Sequence, residues 1–301
     1  MDNRWRANFK RYKLVYLLAL VPIIYYVVFR YAPMYGIIIA FQNYKPAKGV
    51  LRSTWVGFKH FRSFFSGIYA KRVIWNTLRI SVLNLLFDFP APIIFALLLN
   101  EVRCSAFKRT IQTITYMPHF ISTVVICGIL TRFLSTDGVI TWFLAKLGND
   151  TVNWLTIAEA FDGIYISSSV WQGFGWGSII YLAALTGIDP QLYEAATIDG
   201  AGRWKQTLHV TLPGIASTII TLLILRMGNI MSIGYEKIIL LYTPLTYKTA
   251  DVISSYTYRR GLVESDYSFA SAVGLLNSLI NCAMLFLANT VSQKVNGTGL
   301  W

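Results

Sequence analysis

The chain has 301 residues, of which 55% are hydrophobic and only 14% charged. Soluble domains carry about 25% charged residues, so this balance, with its long apolar runs, excludes an ordinary soluble domain and points to an integral membrane protein. The 27 Lys+Arg against 14 Asp+Glu give a net charge of +13, read here against a membrane and its docking partners, with no nucleic acid expected.

A spanning helix needs roughly 20 apolar residues to cross about 30 Å of hydrocarbon. Helices are the expected form, because lipid offers backbone groups no hydrogen-bond partner; a barrel would show alternating segments of about 10 residues instead. Six spans are predicted, at about 15–31, 77–99, 111–133, 166–185, 213–233 and 269–291. Arg4, Arg6, Lys10, Arg11 and Lys13 precede the first apolar run, which ends without a small-x-small cleavage site. It therefore reads as a retained first span with a cytoplasmic N-terminus rather than a signal peptide. The outer segment 32–76 carries Trp55-Val56-Gly57-Phe58-Lys59-His60-Phe61, expected as an interfacial helix with an aromatic belt, with direct ligand contact as the alternative. Residues 135–165 form a second outer loop, and 234–268 a third that holds a helix or re-entrant element. The chain reads as a single transmembrane domain over 1–301, with its membrane region at about 14–291.

Cys104, Cys127 and Cys282 are far apart and suggest neither a disulfide framework nor a zinc site. No Gly-Lys dipeptide occurs, so a P-loop of the form G-x-x-x-x-G-K-[ST] is absent. Outer segments hold at least as many basic residues as inner ones, so the positive-inside rule does not set the orientation alone.

The polar stretch 189–213 is the most informative. Asp189-Pro190 supplies a favoured N-cap followed by proline at the first helical position. A short helix to about Asp199 places Leu192, Ala195, Ala196 and Asp199 on one face. The two alanines keep that face thin enough to enter a cleft, and Glu194 offers a carboxylate to a basic partner. Gly200 and Gly202 permit a sharp change of direction. Arg203 to His209 can form a second helical stretch before Leu212-Pro213 re-enters the membrane. An ordinary amphipathic connector is the competing reading.

The whole pattern, Glu-Ala-Ala, three residues, Gly, nine residues, an aliphatic residue, one residue and Leu-Pro, resembles the cytoplasmic-loop signature of ABC importer permeases. The chain is similar to the permeases of carbohydrate importers of the maltose-permease type, especially the LplB-like branch that serves oligosaccharides. Trp55-Val56-Gly57-Phe58 with Phe61, Asn76-Thr77, the run 96–101, Met117-Pro118-His119-Phe120-Ile121-Ser122, the run 175–185, Thr249-Ala250-Asp251-Val252-Ile253 and Ala272-Val273-Gly274-Leu275 carry the resemblance further. Val210 stands where the loop usually has Ile, and Asp88 where a small or apolar residue is expected.

The resemblance implies an all-α, six-helix type I permease fold with both termini cytoplasmic, in a bacterial cytoplasmic (inner) membrane. It implies a second homologous permease chain, an ATPase dimer that alone binds ATP and magnesium, and an outer solute-binding protein. Glu194, Ala195, Ala196, Asp199, Gly200 and Arg203 would seat the loop on the ATPase and drive alternating access. The chain itself would bind no cofactor and catalyse no reaction.

Ionisable residues inside spans are functional candidates by default. Asp88, Arg79 and Arg226 qualify; Arg79 can snorkel outward, and Asp88 can pair with Arg226 or line a cavity. Sugar sites combine aromatic faces with amides and charges. Trp171, Gln172, Trp176, Asn229, Tyr235, Asn277 and Asn281 fit, with interhelical hydrogen bonding as the competing role. The net positive outer segments could steer an acidic docking protein or an anionic, uronate-containing oligosaccharide. An ion- or proton-coupled secondary transporter is the main alternative function, although no duplicated half is visible. No catalytic motif and no metal site stand out among the three scattered histidines.

Overall fold

The computed structural model describes residues 11–301, Asn296 by its backbone alone. Arg4, Arg6 and Lys10 of the predicted basic cluster lie outside the described residues. Among these residues the fold is helical except for one antiparallel pair, Gln42–Asn43 (β1) with Thr54–Trp55 (β2). They fall into two compact units.

The first unit comprises the described part of Met1–Ser66 together with Arg259–Leu275. Helix α1, Lys13–Phe41, continues well past the predicted end of the first span at 31. A widened turn at Val27–Tyr31 and a tightened stretch over Ala32–Phe41 carry it on. In the hairpin, Trp55 stacks on Phe41 with ring centroids 5.6 Å apart, and Phe58 and Phe61 pack around the same ring. Helix α2, Lys59–Ser66, buries His60 and Phe64. The aromatic run thus gathers into a cluster around Phe41 and continues into α2. Tyr44 N–H donates to Ser268 Oγ at 2.9 Å, and Arg260 pairs with Glu264 and Asp266.

The second unit comprises Gly67–Tyr258 and Leu276–Trp301. Helix α3, Ala70–Asn100, contains the second predicted span. Its centre widens into a π turn at Asn84–Asp88, where Phe89 N–H reaches back to Asn84 O at 3.2 Å. Pro90 and Pro92 explain the widening: each lacks an N–H, and its ring crowds the carbonyl four residues earlier.

The third predicted span, 111–133, is not one helix. Helix α4, Ser105–Tyr116, passes through a 3-10 turn at Met117–Phe120 and stops; helix α5 restarts at Thr123 and runs to Leu134. Pro118 removes a donor, and extended Ser122 caps the restart by accepting from Val125 N–H at 3.4 Å. Helix α6, Val139–Lys146, follows. Helix α7, Phe161–Leu185, is 25 residues long, about 37 Å of helix and enough to span. Helix α8, Pro190–Ile198, leads to α9, Arg203–Gly214, and α10, Ala216–Met227, which meet at 60° around Ile215. The fifth span is therefore bent, and it ends in turns near Gly228 rather than at 233. The third outer segment holds α11, Tyr235–Leu241, and α12, Ile253–Tyr258. Helix α13, Tyr267–Asn296, closes the chain.

Four described stretches are long and apolar enough to cross a membrane, namely α1, α3, α5 with α6 as one run Thr123–Lys146, and α13, or five if the bent pair α9–α10 is one span. Serines and glycines dilute α7, the remaining helix of spanning length. One core cluster gathers Ile80, Phe161, Leu241 and Val252; a second gathers Ile93, Ala96, Tyr181, Leu185 and Ile215.

Polar side chains of α3 hold the segment 247–253. Asn76, 1% exposed, donates to Asp251 O at 2.9 Å and Lys248 O at 3.1 Å. Thr77 Oγ1 accepts from Ile253 N–H at 2.9 Å. Arg79 reaches partners in the second and third predicted outer segments. Its Nη2 donates to Asp162 Oδ1 at 3.0 Å and to Thr249 O at 2.9 Å, and its Nε approaches Asp162 Oδ2 at 2.8 Å, an ion-pair contact with poor hydrogen-bond alignment. Asn76→Leu strands two carbonyls, each worth about 1–3 kcal/mol when buried without a donor. It is expected to lower the thermal unfolding midpoint of the protein in nanodiscs by several degrees; an unchanged midpoint would show that this clamp is dispensable.

Candidate functional site

Two sites emerge, both within the second unit. The first is the loop between α7 and α10. Asp189 caps α8 by accepting from Gln191 N–H at 2.9 Å, with Pro190 next in line. The helix ends in a Schellman arrangement: Ala201 N–H bonds Ala196 O at 2.8 Å and Gly200 N–H bonds Thr197 O at 3.0 Å. Gly200 takes φ +74°. A Cβ placed there would meet nothing within 4 Å, so glycine is required for the left-handed backbone and not for space.

Gln206 Nε2 donates to Thr197 Oγ1 and Ala201 O, both at 3.0 Å, and Tyr193 Oη lies 3.0 Å from Thr211 Oγ1. These bonds tie α8 to α9 as one body. Glu194, Ala195, Asp199 and Gly200 are exposed, and Ala196 is half-buried. Leu192, Ile198 and Trp204 leave an apolar surface beside them, with Ile198 86% exposed. Arg203 contacts Glu101, at the end of α3, at 3.6 Å; both are well exposed, so the pair contributes about 0–1 kcal/mol.

The second site is a cavity divided by an ion pair. Asp88 sits on the π turn of α3 and Arg226 near the end of α10, with Arg226 Nη2 2.6 Å from Asp88 Oδ2. On the side nearer α8 lies a cavity of about 560 Å³, lined among others by His119, Trp176, Tyr181 and Leu225. On the other side lies one of about 210 Å³, lined among others by Asn84, Tyr165, Ser169 and Ser232. Asp88, Arg226 and Asn229 line both. The His119 ring stacks on Trp176 with centroids 4.8 Å apart and planes within 3°, and Phe120 meets the indole edge-on.

The other predicted pathway residues lie elsewhere. Trp171 lines a separate apolar groove with Leu83, Phe87 and Phe174. Gln172 is half-buried on α7 and lines neither cavity. Tyr235 stacks on Tyr258 at 5.2 Å. Asn281 accepts from Met231 N–H at 3.0 Å and donates to Ser232 Oγ at 2.8 Å, holding the turns after α10. Asn277 lies one turn earlier on α13, and its Oδ1 has no partner among the described residues. Lys237 of α11 donates to Ser169 Oγ at 2.9 Å over the Tyr165 ring.

Sequence reasoning missed His119, Asn84 and Ser169. The signal for His119 was its neighbour Pro118, which breaks the helix and turns the next residues into the cavity. Among the described residues, no group of three His, Cys, Asp or Glu side chains could hold a metal ion.

The family model described as "Binding-protein-dependent transport system inner membrane component" matches residues 88–297. The chain is 42% identical over 298 residues to Protein LplB of Bacillus subtilis (strain 168), covering 99% of this chain and 94% of that protein. It is also 42% identical over 290 residues to the polygalacturonan/rhamnogalacturonan transport system permease protein YteP of the same strain, covering 96% and 90%. Among solved structures, it matches a bacterial ABC transporter involved in the import of the acidic polysaccharide alginate, with TM-score 0.90 and 44% identity, covering 98% of this chain and all of that one.

Asn281 and Asn229 separate a fold-holding amide from a cavity-lining one. Asn281→Ala leaves a buried N–H unpaired and is expected to destabilise the protein by about 1–3 kcal/mol. Asn229 is exposed and bonds only its own helix at Leu225 O, so Asn229→Ala should stay within about 0.5 kcal/mol of the parent. Thermal unfolding of both variants checks the contrast.

Proposed function

The chain belongs to the family of binding-protein-dependent transport system inner membrane components, and on that footing we propose how it works and what it carries. It is a permease subunit of an ABC importer for sugars or oligosaccharides, embedded in a membrane. Family membership sets aside the ion-coupled alternative.

The chain pairs with a second, homologous permease in a bacterial inner membrane, and each seats its loop helix on one subunit of an ATPase dimer. That dimer binds and hydrolyses ATP with magnesium. An outer solute-binding protein delivers the cargo. Closure of the ATPase dimer moves the loops together and opens the pathway outward; hydrolysis resets it. The observation that carries this reading is the loop itself: a capped, hydrogen-bonded unit presenting Glu194, Ala195, Asp199 and the apolar side chains of Leu192 and Ile198 to a partner.

The cargo is an acidic oligosaccharide. Two of the similar proteins handle polygalacturonan/rhamnogalacturonan and alginate by their names, and Arg226 places a guanidinium against both cavities here. Trp176, 42% exposed, offers an aromatic face of the kind that sugar rings cover.

The test is a substitution series at Gly200 in the reconstituted transporter, reading oligosaccharide uptake and cargo-stimulated ATPase together. A left-handed conformation costs a non-glycine residue about 1–2 kcal/mol, least for Asn. Gly200→Asn should retain most activity. Gly200→Val should lose about tenfold in both readouts while the complex still assembles. Full uptake and full stimulation in the Val variant would refute the coupling role.

A further inference from the structure

We propose that the Asp88–Arg226 pair is an exchangeable bolt across the pathway: a sugar carboxylate displaces Asp88 from Arg226, opens the partition between the two cavities, and leaves the pair to re-form behind it. This deepens the acidic-cargo reading and rests on it.

Three helices place the pair between the cavities. Along α7, Tyr165 and Ser169 line one cavity and Gly173, Trp176 and Ile180 the other. Along α3 the order is Ser81 and Asn84, then Asp88, then Phe89 and Pro92. Along α10 and the turns after it the order reverses as the chain direction does, with Leu222 and Leu225 on one side, Arg226 and Asn229 at the divide, and Ile230, Ser232, Ile233 and Gly234 on the other. The ion pair thus lies at one level on all three, with open volume on either side.

The pair is built to exchange. Among the described residues, the only side-chain hydrogen bond of Arg226 is the one from Nη2 to Asp88, so its other N–H groups remain for a second acceptor. The side chain of Arg226 is 43% exposed and that of Asp88 20%. Both side chains line the two cavities, so a cargo in either one reaches the pair. A carboxylate that engages the guanidinium fork with two parallel bonds makes a stronger contact than the single bond it replaces. Such a cargo therefore has the differential affinity needed to shift the open state, whereas a neutral sugar has none. Charge is conserved throughout, since one carboxylate replaces another on the same cation. The π turn beneath Asp88 loosens the helix where the carboxylate must withdraw.

The experiment uses the full transporter in proteoliposomes with two probes, tetragalacturonate and the same tetrasaccharide with its carboxyl groups reduced to alcohols. Arg226→Gln should slow ATP-driven uptake of tetragalacturonate by at least tenfold and leave uptake of the reduced probe, which cannot part the wild-type pair, no slower than in the wild type. Asp88→Asn, which frees Arg226, should keep tetragalacturonate uptake within about threefold and raise its ATP-independent leak. The double exchange Asp88→Arg with Arg226→Asp should close that leak again. Equal losses for both probes in Arg226→Gln, or an unchanged leak in Asp88→Asn, would overturn the bolt. Wild-type uptake of the reduced probe alone would overturn the bolt and leave the importer standing. ATP-driven uptake of neither probe would overturn both readings.

Discussion

Hydrocarbon supplies no hydrogen bonds, and the placement of polar side chains in this protein follows from that single constraint. At several places where backbone leaves regular helix, a polar side chain from another element meets it. Asn76 and Arg79 donate to the carbonyls of 248–251, and Ser81 donates to Ile230 O. Ser254 donates to Ile233 O at 2.7 Å, and Asn281 accepts from Met231 N–H. Each of these side chains could have been read from sequence as a ligand for sugar hydroxyls. Their use on backbone explains why irregular segments persist among the spans without an energetic penalty of several kcal/mol per orphaned group.

The same constraint separates groups that face the pathway. After the backbone is satisfied, Arg226 still has donors to spare, Asn229 makes only a bond within its own helix, and Trp176 shows an uncovered indole. These three, with Asp88 and His119, lie around the larger cavity. The cavity is thus lined by groups the fold leaves unused.

Local rules made the loop legible. An Asp-Pro start and a glycine past the last helical turn follow from capping and backbone sterics within a few residues, and both appear where the sequence placed them. Longer-range features were less legible. The break at Ser122 depends on Pro118 in a stretch whose hydropathy is continuous, and the bend at Ile215 depends on packing of that residue into the core with Tyr181 and Leu185. Trp171 and Trp176 appeared as one aromatic pair, yet five positions on a helix turn about 140°, which sends them to different faces. Arg79 and Arg226 look alike in sequence; only the tertiary fold shows one bonded to Asp162 and Thr249 O and the other held by a single bond.

The loop and the ion pair are joined by covalently continuous elements. Helix α3 carries Asp88 at its widened centre and ends beside Glu101, which contacts Arg203 of the loop. The bent pair α9–α10 begins at Arg203, turns at fully buried Ile215, and ends with Arg226 in its last turn. Ile215 and Arg226 are separated by roughly 16 Å of helix. In the proposed cycle, a rotation of the loop would pivot that lever about the core formed by Ile93, Ala96, Tyr181, Leu185 and Ile215. Its far end carries the cation of the pair while the anion stays on α3. Because Arg226 keeps unused donors for a replacement carboxylate, the cost of parting the pair is offset as the cargo bonds the cation. A partition built this way would yield to both the loop and the cargo, as the proposed importer, driven from one face and loaded from the other, demands.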